Sequence, residues 1–228
     1  MNLQELNELR DFCEITKSKK CIDFFSRYPL GGEWEANMRI IREIMYSDSE
    51  PIEKVRTIHE SNVFMVHCKD SELNKLEAKW WDDHLLREFG IDIKTYDSNY
   101  NDSIANSKES QIDYHGRRVS ADFFLRLAYV LFMARNIDID QHDKPVIMEV
   151  GSGHASLARM IKTHYPNCKY ILVDLPVSLF FAYINLNLNF KDSGFKKVTN
   201  IEGFYSALSD PDIDFIFQSA YQLFNQTG

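Results

Sequence analysis

Val146 to Pro176, VIMEVGSGHASLARMIKTHYPNCKYILVDLP, constrains this chain more than any other stretch. The apolar run Val146-Ile147-Met148 leads through Glu149-Val150 into the turn Gly151-Ser152-Gly153. Ala155 to His164 has helical spacing, with Leu157, Ala158 and Ile161 on one side. Tyr170-Ile171-Leu172-Val173 is a second buried strand, and Asp174 closes it. Strand, glycine turn, helix and strand make the first half of a nucleotide-binding α/β unit. Two strands joined by a helix pair in parallel, so the pattern predicts a parallel sheet.

The turn has its own chemistry. Gly151 and Gly153 carry no side chain, so a ligand can approach the backbone. The helix that follows offers free N–H groups and a positive dipole end, which suits a carboxylate or a phosphate. Asp174 stands at the carboxyl end of the second strand, where an acid can accept from both ribose hydroxyls. A phosphate-binding P-loop requires Gly-Lys-Ser/Thr, and this turn continues Gly153-His154-Ala155. A dinucleotide site prefers a third glycine where Ser156 stands. S-adenosyl-L-methionine remains as the candidate ligand.

Glu149-Val150-Gly151-Ser152-Gly153 resembles the E-x-G-x-G motif of class I S-adenosylmethionine-dependent methyltransferases. Asp174-Leu175-Pro176 resembles the D-L-P that ends the second strand in many small-molecule O-methyltransferases. The wording from Glu149 to Leu179 is most similar to bacterial sugar O-methyltransferases. The resemblance is strong over 145–189, fainter over 196–219 and weak before residue 145. It implies a Rossmann-like α/β fold over 141–228, preceded by a mainly helical region over 1–140. It also implies methyl transfer to a sugar or related small polar acceptor. Glu149, Gly151, Ser152, Gly153, Asp174 and Leu175 would hold the cofactor, with Glu202 and Phe204, in the turn after the third strand, beside its adenine. His154 is the candidate acceptor base, reaching toward the mouth of the site; its other reading is a side chain facing solvent. A catalytically inactive binding protein on the same fold is the alternative, and a nicotinamide-dependent oxidoreductase is disfavoured by Ser156.

Val177–Asn189 reads as the next helix, Lys197–Ile201 as the third strand and Ile213–Phe217 as the fourth. In that family three more strands follow. This chain stops at Gly228, so the resemblance implies a sheet truncated at its C-terminus. The family's strand order puts the first strand between the second and the fourth, and the third outside the second. Ile213–Gln218 would then be an exposed apolar edge, which predicts dimerisation or poor solubility in isolation, and a mobile Tyr221–Gly228 tail.

Ahead of the sheet the periodicity is helical. The stripes are Leu3, Leu6, Leu9 and Phe12/Cys13; Met38, Ile41 and Met45; Ile52, Val55 and Ile58, continuing to Val63 and Val66; and Leu73 to Phe89 with Gly90 as the stop. The pair Trp80-Trp81 reads as one core ring and one contact ring, or as an aromatic platform for a sugar. Tyr96–Ser110 is rich in Asp, Asn and Ser and reads as a loop. Ile112–Val119 reads as a hairpin turning at His115-Gly116, and Ser120 as the cap of a helix through Ala134. Arg117-Arg118 reads as a solvated turn or as a grip on phosphate.

Charge excludes one class of partner. The net charge is −8, and the first 144 residues hold 20 basic against 27 acidic groups. Neither half presents a basic surface suited to DNA or RNA. The four cysteines are scattered without a C-x-x-C pair, and no residue spacing marks a metal site. Arg126 and several asparagines interrupt the two longest apolar runs, which argues against a membrane span. The N-terminus is polar rather than a signal peptide, so a reducing cytoplasm is the expected setting.

Overall fold

The computed structural model describes residues 1–15, 32–61, 71–94, 102–104, 106 and 111–225. Four helices come first: α1 (Leu3–Ile15), α2 (Gly32–Tyr46), α3 (Pro51–Glu60) and α4 (Ser71–Phe89). A hairpin of β1 (Ile112–Tyr114) and β2 (Arg117–Val119) leads into α5 (Ala121–Asn136). Most of the expected stripes are buried: Leu6, Leu9, Phe12 and Cys13; Ile41 and Met45; Val55 and Ile58; and Leu85; but Leu3 and Leu76 are exposed, and Met38 and Ile52 are half-buried. Gly90 stops α4 at φ +69°, and His115 and Gly116 turn the hairpin at φ +52° and +79°. Val63, Val66 and nearly all of Tyr96–Ser110 lie outside the described residues. Trp81 packs against the core, whereas Trp80 is mostly exposed and stacks on His84 at 5.4 Å. Thus Trp80 is a surface ring.

The α/β part follows as β3 (Val146–Val150), α6 (Ser156–His164), β4 (Lys169–Asp174), α7 (Pro176–Asn189), β5 (Phe195–Val198), α8 (Ile201–Ser209), β6 (Phe215–Ser219) and α9 (Ala220–Asn225). All four strands are parallel. Helices α6 and α7 lie over one face, α8 over the other, and α1, α2 and α3 pack outside α7. One apolar cluster runs from Leu6 through the α7 side of the sheet to Phe217. A smaller one, Ile171, Val173, Val198, Ala207 and Ile216, lies under α8. Among the described residues no helix is long and apolar enough to cross a membrane.

The strand order corrects the expected one. It is β3-β4-β6-β5, so the first strand is an edge and the fourth is internal. Side chains explain the exchange. Phe215 and Phe217 face α7, meeting Phe190, Tyr183 and Phe195 at ring distances of 5.1–6.1 Å. Ile216 points the other way, into the cluster under α8. A strand apolar on both faces is best buried with neighbours on both sides, and every residue of β6 is buried. Gly194 allows β5 to lie against it: a Cβ there would meet the Asp212 carbonyl oxygen at 1.8 Å. Asp214 closes the junction, accepting from the Gly194 N–H at 3.0 Å and from Lys162 Nζ at 2.6 Å. The sheet's two edges are therefore β5, as expected, and β3, where Val146, Met148 and Val150 are each more than half exposed.

Two boundaries also move. The third strand ends at Val198, before the predicted Ile201, and Glu202-Gly203-Phe204-Tyr205 is helix rather than turn. Asn200 caps that helix, its side chain accepting from the Gly203 N–H at 2.7 Å, as an N-cap asparagine does.

Candidate functional site

The site begins where β3 runs out. Gly151 and Gly153 take φ +82° and +55°, values that disfavour other residues. Among the described residues a Cβ at either would meet nothing within 4 Å, so none of them fills the space above the turn. The Gly151 N–H donates to the Val173 carbonyl at 2.8 Å and ties the turn to β4. Ala155, buried at φ +66°, occupies the N-cap of α6. A left-handed alanine costs about 1–2 kcal/mol. It also brings no side chain to the first N–H groups of the helix.

Asp174 joins the two strand ends. Its Oδ2 accepts from the Gly153 N–H at 2.6 Å and its Oδ1 from the Leu175 N–H at 2.6 Å. The Ser178 hydroxyl also donates to it. Burial raises its pKa, and these hydrogen bonds pull the other way. A carboxylate has about four acceptor positions. Three are engaged, so accepting from both ribose hydroxyls requires Gly153 or another donor to let go.

The other expected residues divide into two groups. Glu149 is close: its Oε2 accepts from the Tyr170 hydroxyl at 3.0 Å. Burial pushes it up to about 7, with Asp174 and Asp122 adding to the rise, against the Tyr170 hydrogen bond and the Arg126 guanidinium. Ser152 is buried, and its hydroxyl has no hydrogen-bond partner among the described residues. Leu175 is the N-cap of α7. His154 is buried and does not face solvent. Its Nε2 lies 2.7 Å from Ser156 Oγ, and its ring meets that of His59 edge-on at 4.3 Å. Glu202 and Phe204 stand apart. They follow β5, three strand spacings or about 14 Å from β3. Glu202 is exposed, and Phe204 packs from α8 onto the cluster between that helix and the sheet. Ser219 stands beside Asp174 instead, paired with it in register; its hydroxyl is buried without a partner among the described residues.

Sequence reasoning missed the charged groups that the helical region brings here. Asp122 and Arg126, one turn apart on α5, pair at 2.9 Å, and both act on Glu149. Arg159 on α6 is buried; burial lowers its pKa, and Asp102 and Asp122 hold it up. The signal was present: Arg126 and the α7 asparagines interrupt otherwise apolar runs. A polar side chain in such a run marks a buried partner as readily as it excludes a membrane.

A cavity of about 570 Å³ opens elsewhere, against Asp140, His142, Lys144, His164 and Tyr165. These residues flank the amino ends of β3 and β4, at the far end of the sheet from the glycine turn. The arrangement at the turn can hold a ligand bearing hydroxyls and a polar or charged group against open backbone, next to balanced acids and guanidinium groups. No family model, curated protein or solved structure matches the chain.

Proposed function

We propose that the chain is an S-adenosyl-L-methionine-dependent O-methyltransferase acting on a sugar or a related small polar acceptor in the cytoplasm. The observation that carries this is the 2.6 Å contact between the Gly153 N–H and Asp174. It brings the acid of the second strand to the open glycine turn of the first, as a bound nucleoside requires. Among the described residues, the space above Gly151 and Gly153 is open and the hydroxyls of Ser152 and Ser219 lack partners, which fits a polar ligand.

Gly151, Ser152 and Gly153 would receive the methionine end, and Asp174 the ribose. Glu202 and Phe204, at the start of α8 and two strands from Asp174, would meet the adenine only across the end of β6 at Ser219. When bound, the cofactor supplies an already activated methyl group. The chain has to bind and orient the acceptor oxygen in line with it and keep water out. Asp122, Arg126 and Glu149 offer hydrogen bonds to a polyhydroxyl acceptor. For His154 to act as a base through Nε2, its contact with Ser156 has to open.

One observation favours a second reading, a binding protein without chemistry: Asp174 is largely satisfied by its own turn. Titration calorimetry with S-adenosylmethionine, S-adenosylhomocysteine and NAD, followed by a methyl-transfer assay on mixed sugars, separates the readings. Binding of S-adenosylhomocysteine and not NAD is expected. Binding of NAD alone would overturn both.

A further inference from the structure

Two asparagines one turn apart on α7 hold the glycine turn to a distant stretch of chain. Asn185 is fully buried. Its Nδ2 donates to the His154 carbonyl at 2.8 Å, and its Oδ1 accepts from Ser103 Oγ at 2.7 Å. Asn189 Nδ2 donates to Ser103 Oγ at 3.1 Å, and its Oδ1 accepts from the Ile104 N–H at 3.4 Å. Asp102 extends the chain of bonds, accepting from the Ser103 N–H at 3.0 Å and from the Ser120 N–H, at the start of α5, at 2.7 Å. Asn106 closes it, its N–H donating to the Ser103 carbonyl at 3.0 Å. The polar path therefore runs from Asp174 through Gly153, His154, Asn185 and Ser103 to Asp102 and α5.

We infer that Asn185 is a positioning residue, which sets the glycine turn and the Asp102–Ile104 stretch in register with each other. The argument is one of capacity. An amide offers donors on one side and an acceptor on the other, and here each side serves a different wall of the site. A buried amide that loses one partner is left with an unsatisfied group, so neither wall can shift without disturbing the other. Aspartate cannot substitute, because it keeps the acceptor for Ser103 and loses the donor to His154. The role of this pair in ligand binding rests on the nucleoside reading above; their mechanical linkage does not.

Amide hydrogen exchange followed by NMR tests the linkage without ligand, in wild type, Asn185→Asp and Ser103→Ala. Asn185→Asp should speed exchange at Gly153 and Ala155 roughly tenfold or more. Ser103→Ala, a milder change, should speed exchange at Ile104 and Asn106 and also at Gly153. The Phe204 amide, bonded to the Asn200 carbonyl in α8, should stay unchanged in both, which separates local loosening from loss of fold. If Ser103→Ala leaves Gly153 at the wild-type rate, the inference is overturned. With S-adenosylhomocysteine at saturation, Ile104 and Asn106 should slow in wild type and not in Asn185→Asp. Saturation without that slowing would also overturn the inference. Failure of the ligand to bind at all would overturn the proposed function and leave the ligand-free comparison to decide.

Discussion

Glu149→Gln should stabilise the protein at pH 8 and leave it unchanged near pH 4. Glu149 is drawn from β3 into the space beneath α5, next to Tyr170, and burial lifts its pKa from 4.5 to about 7. At about 1.4 kcal/mol for each tenfold change in the proton equilibrium, that lift corresponds to at most about 3.5 kcal/mol. The folded-state value lies above the unfolded one. The contribution to stability is therefore fully present below pH 4.5 and is lost as pH rises through about 7. Glutamine keeps an oxygen for the Tyr170 hydroxyl and has no charge to desolvate, so it escapes the loss. Urea unfolding of both proteins from pH 4 to pH 8 measures the difference. Burial raises Asp174 as well; that slope is common to both proteins except for its repulsion with Glu149, which the variant also removes and which adds to the gain at pH 8. A stability difference that stays constant with pH, or a variant less stable than wild type at pH 8, would refute the reasoning.

Other substitutions probe neighbouring parts. Gly153→Ala meets no atom of the described residues within 4 Å, so its cost should be the left-handed penalty alone, about 1–2 kcal/mol by chemical denaturation; a larger loss would mean the turn is more crowded. Gly194→Ala forces a Cβ against the Asp212 carbonyl and should cost about 3 kcal/mol or more, as overpacking against backbone does; a thermal midpoint equal to wild type would argue against β5 lying beside β6. Lys162, itself buried, donates to the Cys168 carbonyl and to Asp214. Lys162→Met should cost about 2 kcal/mol at pH 7, less than a fully buried pair because Asp214 is a third exposed. Asp214 is held below its ordinary value by Lys162 and the Gly194 N–H, against the opposing effect of burial. The wild-type advantage is present above pH 3.8 and should fade as pH falls through the depressed value, which acid unfolding of the two proteins checks.

Much of the fold was legible because it is local. The strand-turn-helix-strand unit, the hairpin and the amphipathic helices each show themselves within ten or so neighbouring residues. Strand order is different in kind. It depends on which sheet position buries Phe215, Ile216 and Phe217 on both faces at once, and on a glycine close approach at Gly194 that no periodicity reports. The expected edge at Ile213–Gln218 thus became the interior, and the open edge passed to β3. The site divides the same way. Glu149, the glycines and Asp174 lie within one βαβ unit and were found together. Glu202 and Phe204 were placed by the resemblance of the turn after the third strand, a strand that lies beside β6 rather than β4, and Asp102, Asp122 and Arg126 enter from chain far removed in sequence.

The central claim is that Asp174 and the glycine turn form one nucleoside site. Calorimetric titration of S-adenosylhomocysteine into wild type and Asp174→Ala, with circular dichroism to show that both are folded, tests it most directly. Wild type should bind, and the variant should bind about 1.5–3 kcal/mol more weakly, the worth of hydrogen bonds to a charged group. Equal affinity in two folded proteins would contradict it.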